Sequence, residues 1–126
     1  MRIPLATRYP DYDTKGHVNN AVYLTYFEMA RQAAWTTAMP DAPDLPFIVA
    51  EATVKYVTQA RIGDPLEIEI STAEVRTKAW VWTYTVRHAV TGRVVAEGRT
   101  AQVMYDYEAR QSVPIPDAVR AALATV

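Results

Sequence analysis

The segment DYDTKGHVNNAVYLTYFE, residues 11–28, joins a polar stretch directly to an apolar aromatic run. Apolar side chains recur at helical spacing over residues 21–34, which predicts a helix with a broad buried face. The short amide side chain of Asn19 or Asn20 is typical of a helix N-cap. We therefore predict a helix that begins just after these asparagines and is surrounded largely by protein. Two aspartates, a glycine and a histidine lie immediately before it.

Length and composition limit the class of protein. The chain has 126 residues, 50% of them hydrophobic, so we expect one domain over residues 1–126 with its own core. A formal net charge of -1 and scattered basic residues indicate no nucleic-acid partner. No apolar run approaches the roughly 20 residues of a membrane span, and the N-terminus lacks a signal-peptide core. These features predict a soluble, cytoplasmic protein with no membrane partner.

The residue inventory excludes several kinds of active site. The absence of cysteine excludes disulfides, thiolate nucleophiles and cysteine-ligated zinc. His17 and His88 lie far apart and lack metal-ligand spacing, so we expect neither a metal nor a cofactor. Ser71 and Ser112 are outside any nucleophile-elbow motif. Carboxylates therefore remain as the best candidates for chemistry.

The second half of the chain has the pattern of a β-sheet. Apolar and polar residues alternate over residues 66–71 and again over residues 80–87, which is typical of strands with one solvated face. The turn sequences RIGDP, TK and TGR separate these runs. The pattern predicts strands at residues 2–8, 47–58, 66–71, 80–87 and 94–105, and a short amphipathic helix at residues 116–124.

These elements predict an α+β domain in which a curled antiparallel sheet of about five strands wraps around one long helix. A single helix cannot cover both faces and both edges of such a sheet. We therefore expect the domain to associate with a second copy, either edge to edge or through the uncovered face.

The loop before the helix combines features that suit acyl transfer. Gly16 permits backbone conformations or close approaches that a side chain would block. First-turn amides of the helix point back into the loop and favour negative charge there. An ionised Asp13 or Asp11 could act beside them as a nucleophile or general base. The alternative is that both aspartates are turn residues that serve their own backbone.

The segment RYPDYDTKGHVNNAVYLTYFEMAR, residues 8–31, resembles the signature of hotdog-fold thioesterases of the 4-hydroxybenzoyl-CoA thioesterase type. Weaker similarity continues through ARIGDPLEI, GRVVAEGR and VPIPDAVRAAL. The resemblance implies the hotdog fold, with the sheet wrapped around one long central helix. It also implies an acyl-CoA thioesterase that works as a homodimer or homotetramer with its site at a subunit interface.

Roles for several residues follow from the resemblance. Asp13 matches the catalytic carboxylate, which in such enzymes attacks the thioester directly or activates a water molecule. Gly16 matches the residue that shapes the loop. The backbone amides near Asn20 match the oxyanion donors at the helix start. Tyr23 matches an aromatic position of the pattern, for which packing is the alternative to substrate contact.

Four further positions stay open between substrate binding and structure. His17 is either a substrate contact or part of the loop architecture, and Asn19 is either a pocket contact or a cap. Arg76 and Lys78 flank a predicted turn, where the resemblance implies contact with the phosphates of CoA. Solvated turn charges are the alternative for this pair.

The expected reaction is hydrolysis of an acyl-CoA thioester to a free carboxylic acid and CoA, so acyl-CoA is the expected partner. Two alternatives stay open. A hotdog hydratase or dehydratase would act on an acyl thioester, but such enzymes need a histidine paired with an acidic residue, and only His17 is near the site. A non-catalytic domain would bind acyl-CoA without turnover.

Overall fold

The structure is a computed structural model that describes residues 1–42 and 44–126. Pro43 lies outside the described residues. The elements in chain order are β1 (Arg2–Leu5), a 3-10 turn (Tyr9–Asp11), α1 (Val22–Ala38), β2 (Phe47–Tyr56), β3 (Leu66–Val75), β4 (Ala79–His88), β5 (Val94–Asp106), β6 (Gln111–Ser112) and α2 (Asp117–Leu123).

The strands form one antiparallel sheet in the order β1-β3-β4-β5-β2, with β6 paired to β5. Strands β3, β4 and β5 are neighbours in sequence and in space, as the predicted turns between them require. β1 and β2 are the two edges of the sheet. The predicted α+β architecture is confirmed, although the two-residue β6 raises the number of strands in the described residues to six.

Helix α1 packs on one face of the sheet, which we call the inner face. The ring of Phe27 stacks on Tyr84 of β4 with centroids 4.3 Å apart. The small side chains of Ala30 and Ala34 allow the helix to approach the sheet closely, and both residues are fully buried. Helical spacing brings these residues to one side of α1, so burial of that side holds the helix in place.

The opposite side of α1 faces solvent in the single chain. Leu24 and Met29 are 45% and 40% exposed. The expectation of a helix surrounded largely by protein is therefore wrong for one chain, because the sheet covers only one side of it. Met29 belongs to the apolar set predicted from sequence, yet it points away from the core.

The core continues along the inner face of β4. Trp80, Trp82 and Tyr84 alternate with less buried residues and are at most 2% exposed. Trp80 and Trp82 both meet the ring of Phe47 edge-on, at centroid distances of 5.2 and 5.6 Å. Trp35 of α1 completes this aromatic cluster, 5.7 Å from Phe47. The alternation read from the sequence therefore marks the inner face correctly.

The topology separates two ends of the sheet. Residues 60–62, between β2 and β3, contact the loop before α1 at one end. Residues 76–78, between β3 and β4, lie at the other end. Each of these strands has 10 residues, so the two ends are roughly 30 Å apart.

Among the described residues, no helix has the length and hydropathy needed to cross a bilayer.

Gly98 of β5 lies directly beneath Phe27. A Cβ atom added at Gly98 would overlap the ring atoms of Phe27. The absence of a side chain at this position therefore sets how closely α1 can approach the sheet.

We expect Gly98→Ala to lower the free energy of unfolding by about 1 to 3 kcal/mol, because the Phe27 ring or the strand has to move. Urea denaturation followed by tryptophan fluorescence measures this change. Glu97→Ala, at an exposed position of the same strand, is the matched control. Gly98→Ala should cost less in a Phe27→Leu background than in the wild type, and an equal cost in both would show that ring overlap is not the cause.

Candidate active site

Residues 11–19 form a closed loop immediately before α1. The N–H of Asn19 donates to the carbonyl of Asp11 at 2.8 Å, which joins the two ends of the loop. Inside it, the N–H of Asp13 donates to the carbonyl of His17 at 2.7 Å. These bonds leave the loop little freedom and determine where its polar side chains point.

Gly16 allows the chain to turn within this loop. Its φ angle is +75°, in the left-handed region that favours glycine. The Gly16 carbonyl accepts from the N–H of Ile62 at 2.9 Å, and the N–H of Val18 donates to the carbonyl of Ala60 at 2.8 Å. The loop is therefore anchored to the segment that follows β2. An added Cβ would only reach ordinary contact with Ile62, so backbone conformation, rather than close approach, requires the glycine.

The carboxylate of Asp13 is exposed, and only one of its two oxygens accepts hydrogen bonds from the described residues. Its Oδ1 accepts from the N–H of Lys15 at 2.8 Å and from the N–H of His17 at 3.1 Å. These bonds from His17 and Lys15 hold the pKa of Asp13 below its usual value. Within residues 1–42 and 44–126, no group donates to its Oδ2. An ionised oxygen is thus available to a substrate.

Four of the predicted site residues share one cleft of about 530 Å³, namely Asp13, His17, Asn19 and Asn20. Thr14, Lys15 and Gln59 also line it. The cleft is polar and open to solvent. The structure therefore brings together the acidic residue, the histidine and the start of the helix.

The start of α1 differs from the predicted cap. Ala21, and neither Asn19 nor Asn20, is the N-cap residue, and it makes no side-chain capping bond. The Asn19 Oδ1 instead accepts from the N–H of Ala21 at 3.0 Å, one position before the helix proper. The Asn19 carbonyl accepts from the N–H of Val22 at 3.0 Å, so Asn19 organises the turn that leads into α1.

Asn20 lies between the cleft and the helix. Its carbonyl accepts from the Tyr56 hydroxyl at 2.9 Å, which ties the helix start to the end of β2. Over the part of the chain that the structure describes, its N–H has no hydrogen-bond acceptor. An unpaired N–H at a helix N-terminus is a suitable donor for an oxyanion.

Tyr23 lines a second hollow of about 280 Å³ that adjoins the cleft. Asn20 and Gln59 line both spaces. Burial raises the pKa of Tyr23 to about 12, so its hydroxyl stays protonated at neutral pH. Tyr56 contributes the second aromatic ring of the hollow, 5.6 Å from Tyr23 and edge-on.

Arg76 and Lys78 lie apart from this site. They flank the hairpin at the opposite end of the sheet, and Arg76 donates to Glu74 at 2.8 Å. A single chain therefore does not bring them to Asp13, because ten-residue strands intervene. Their contact with CoA phosphates stays a prediction.

Family comparison gives the context for this site. The thioesterase-like superfamily matches residues 8–123. The chain belongs to this superfamily. Acyl-CoA thioester hydrolase YbgC of Escherichia coli is 30% identical to this thioesterase-family chain over 94 residues, which cover 71% of the chain and 70% of that relative.

Solved structures extend the similarity to nearly the whole chain. A thioesterase of Thermus thermophilus, complexed with coenzyme A and Zn, is 28% identical with a TM-score of 0.88, over 98% of this chain and 91% of that one. A 1,4-dihydroxy-2-naphthoyl-CoA thioesterase of Synechocystis has a TM-score of 0.86 at 15% identity, over 99% and 96% of the two chains, which shows the fold alone. The predicted thioesterase family and enzyme class are confirmed.

Gln59 does not belong to the signature segment, and no sequence signal distinguishes it from other polar residues that follow a strand. Asp11, in contrast to Asp13, is buried and accepts from the Tyr26 hydroxyl at 3.0 Å.

Among the described residues, no group of three His, Cys, Asp or Glu side chains is placed to hold a metal ion.

The hydrogen bonds to Asp13 predict its titration. The pKa of Asp13 is lowered by these bonds, so we expect its carboxyl carbon, followed by NMR, to titrate at a lower pH in the folded chain than in urea. The stabilisation that accompanies a lowered pKa is present above the unfolded value and is lost as pH falls through the folded one. A folded midpoint above the value in urea would contradict the bonds from Lys15 and His17.

Proposed function

We propose that this chain is an acyl-CoA thioesterase that uses Asp13 as its catalytic carboxylate and releases a carboxylic acid and CoA. The observation that carries the proposal is that Asp13 and Asn20 line one cleft. Among the described residues, no group donates to Asp13 Oδ2 and no group accepts from the Asn20 N–H. Membership of the thioesterase-like superfamily and similarity to an acyl-CoA thioester hydrolase support it.

The chemistry follows from a thioester carbonyl lying between these two groups. In one route, the Asp13 Oδ2 adds to the carbonyl carbon, the C–S bond breaks, and water then hydrolyses the acyl-aspartyl anhydride. In the other, Asp13 takes a proton from a water molecule, which attacks the same carbon, and the C–S bond then breaks to release CoA, which takes up a proton. In both routes negative charge develops on the carbonyl oxygen. The Asn20 N–H and the N-terminal end of the 17-residue α1 would stabilise it.

The two adjoining spaces suggest how the substrate lies. The larger cleft contains Lys15 and His17 and suits the polar arm of CoA, so we assign His17 and Asn19 to that side. The smaller hollow contains Val18, Tyr23 and other apolar groups and suits the acyl group. Asn20 lines both spaces, as a donor to the carbonyl at their junction should.

We further propose that the enzyme is a homodimer or homotetramer built on the edge of β2. This strand has 10 residues and a free edge. Ile48 and Val49 on it are 38% and 42% exposed. A long, apolar and unpaired edge is a template for pairing with another strand. A second copy of β2 has the same length and the same exposed residues.

Antiparallel pairing of two β2 strands would place the Phe47 end of one beside the Tyr56 end of the other. The Tyr56 end lies at the cleft, because its hydroxyl bonds to Asn20. The Phe47 end neighbours the 76–78 hairpin through Met104, whose N–H donates to the Lys78 carbonyl at 2.8 Å. This arrangement turns the partner's hairpin towards the cleft, which supports a role for Arg76 and Lys78 in binding CoA phosphates across the interface.

Asp13→Asn is expected to lower kcat for thiol release from acyl-CoA by roughly 100-fold to 10,000-fold, because the amide is neither an effective nucleophile nor a base. Asparagine retains an oxygen for the Lys15 and His17 bonds, so the melting temperature should change little. Asp41→Asn, at an exposed position after α1, is the matched control. Wild-type turnover by Asp13→Asn would remove this residue from the mechanism.

The same assay defines the reaction and the subtype. A panel of aliphatic and aromatic acyl-CoAs, including 4-hydroxybenzoyl-CoA, is followed for free thiol, and enoyl-CoA is followed for loss of its absorbance. Thiol release without hydration is expected. Hydration without thiol release would indicate a hydratase, and binding without either would indicate an acyl-CoA-binding domain.

Sedimentation of the wild-type chain is expected to give at least twice its mass of 14.1 kDa. Ala52→Lys, in the middle of β2, should shift the protein towards the monomer, because a charge would have to be buried at the new edge pair. Ala118→Lys, exposed on α2, serves as the control. A wild-type monomer at micromolar concentration would refute the edge interface.

A further inference from the structure

Asp11 is a buried carboxylate that the proposed mechanism does not use. It is 1% exposed and lies two residues before Asp13. Its Oδ2 accepts from the N–H of Arg8 at 2.9 Å and from the Tyr26 hydroxyl at 3.0 Å, and its Oδ1 accepts from the Arg8 guanidinium at 3.0 Å. A buried charge with three donors is held in one position.

The protonation states at this contact are well defined. Burial alone would raise the pKa of Asp11, but the hydrogen bonds from Arg8 and Tyr26 outweigh it and lower the pKa. Burial and the bond to Asp11 raise the pKa of Tyr26. At neutral pH Tyr26 therefore donates and Asp11 accepts.

The contact joins the loop to the helix. Tyr26 is in the second turn of α1 and is 1% exposed. Asp11 is the first residue of the loop, and its carbonyl also accepts from the N–H of Asn19 at the other end. One residue thus ties both ends of the loop to each other and to α1.

Other bonds also anchor the loop. Gly16 and Val18 bond to residues 60–62, which follow β2, and fix the far side of the loop against the sheet. Asn19 accepts from the N–H groups of Ala21 and Val22 at the start of α1. The bond between Asp11 and Tyr26 adds a contact from the first residue of the loop to the second turn of α1.

We propose that Asp11 and Tyr26 form a positioning pair that sets the separation between the Asp13 carboxylate and the N–H of Asn20, and thereby controls kcat. This inference rests on the proposed function. Asp13 is on the loop side of the contact and Asn20 is on the helix side. A thioester carbonyl has to meet both groups at once, so a displacement of about 1 Å can cost roughly 100-fold in rate.

Tyr26→Phe is expected to lower kcat about 10-fold to 100-fold while KM changes less than about 2-fold, because the walls of the cleft remain and only the alignment of the two groups is lost. Tyr12→Phe is the matched control. The Tyr12 hydroxyl donates to Thr7 Oγ1 at 2.8 Å, in the same region, and among the described residues it makes no hydrogen bond to Asp11 or Tyr26. It should retain wild-type kcat.

A double-mutant cycle tests whether the two residues act through their mutual bond. Asp11→Asn and Asp11→Asn/Tyr26→Phe complete the cycle. The double variant should lose little more kcat than the more affected single variant. Fully additive losses would overturn the proposal, and so would unchanged kcat in a Tyr26→Phe protein that merely melts at a lower temperature.

Amide hydrogen exchange provides a readout independent of turnover. The N–H groups of Lys15 and His17, which bond to Asp13, should exchange faster in Tyr26→Phe than in Tyr12→Phe. Equal exchange would refute the positioning pair. If the wild type releases no thiol from any acyl-CoA, the proposed function fails, and the exchange comparison alone decides whether this contact orders the loop.

Discussion

Packing of α1 against the inner face of the sheet is the contact on which the rest of the structure depends. Phe27 stacks on Tyr84 above Gly98, and the buried Ala30 and Ala34 that follow it let the helix backbone come close. That contact fixes where α1 begins. The loop at residues 11–19 is tied to α1 through Tyr26 and to the sheet through residues 60–62. The geometry of the cleft is therefore a consequence of how the core packs.

Two aspartates of the same loop show how environment divides roles between identical side chains. Asp11 is enclosed, receives three hydrogen bonds and cannot reach a substrate. Asp13 is exposed, receives two bonds on one oxygen and keeps the other free. Hydrogen bonds favour ionisation in both cases. Of the two, only Asp13 is both ionised and accessible to a substrate.

Local patterns predicted β3 and β4 well, because each of these strands buries one face. The alternation over residues 66–71 and 80–87 predicted β3 and β4, since their inner faces meet α1. The prediction that α1 is largely surrounded by protein was wrong for a single chain. The exposure of Met29 depends on how far the sheet curls around the helix, and the sequence pattern does not contain that information. The cap was misassigned because the Asn19 side chain can serve either a helix or the turn before it, and it serves the N–H of Ala21.

The candidate site was predictable where it is contiguous in sequence. Asp13, His17, Asn19 and Asn20 lie within one short segment, and they line one cleft. Gln59 is distant from this segment in sequence and lies at the cleft only in the folded chain. Arg76 follows the ten-residue β3 and therefore lies at the opposite end of the sheet. The position of each residue depends on the tertiary structure and could not be predicted from sequence.

The overlap that any side chain at Gly98 would make with Phe27 links two positions far apart in the chain. A substitution at one of them alters which residues the other can accept. Positions 27 and 98 are therefore expected to covary during evolution. Their covariation among descendants of this sequence would reflect the distance between α1 and the sheet.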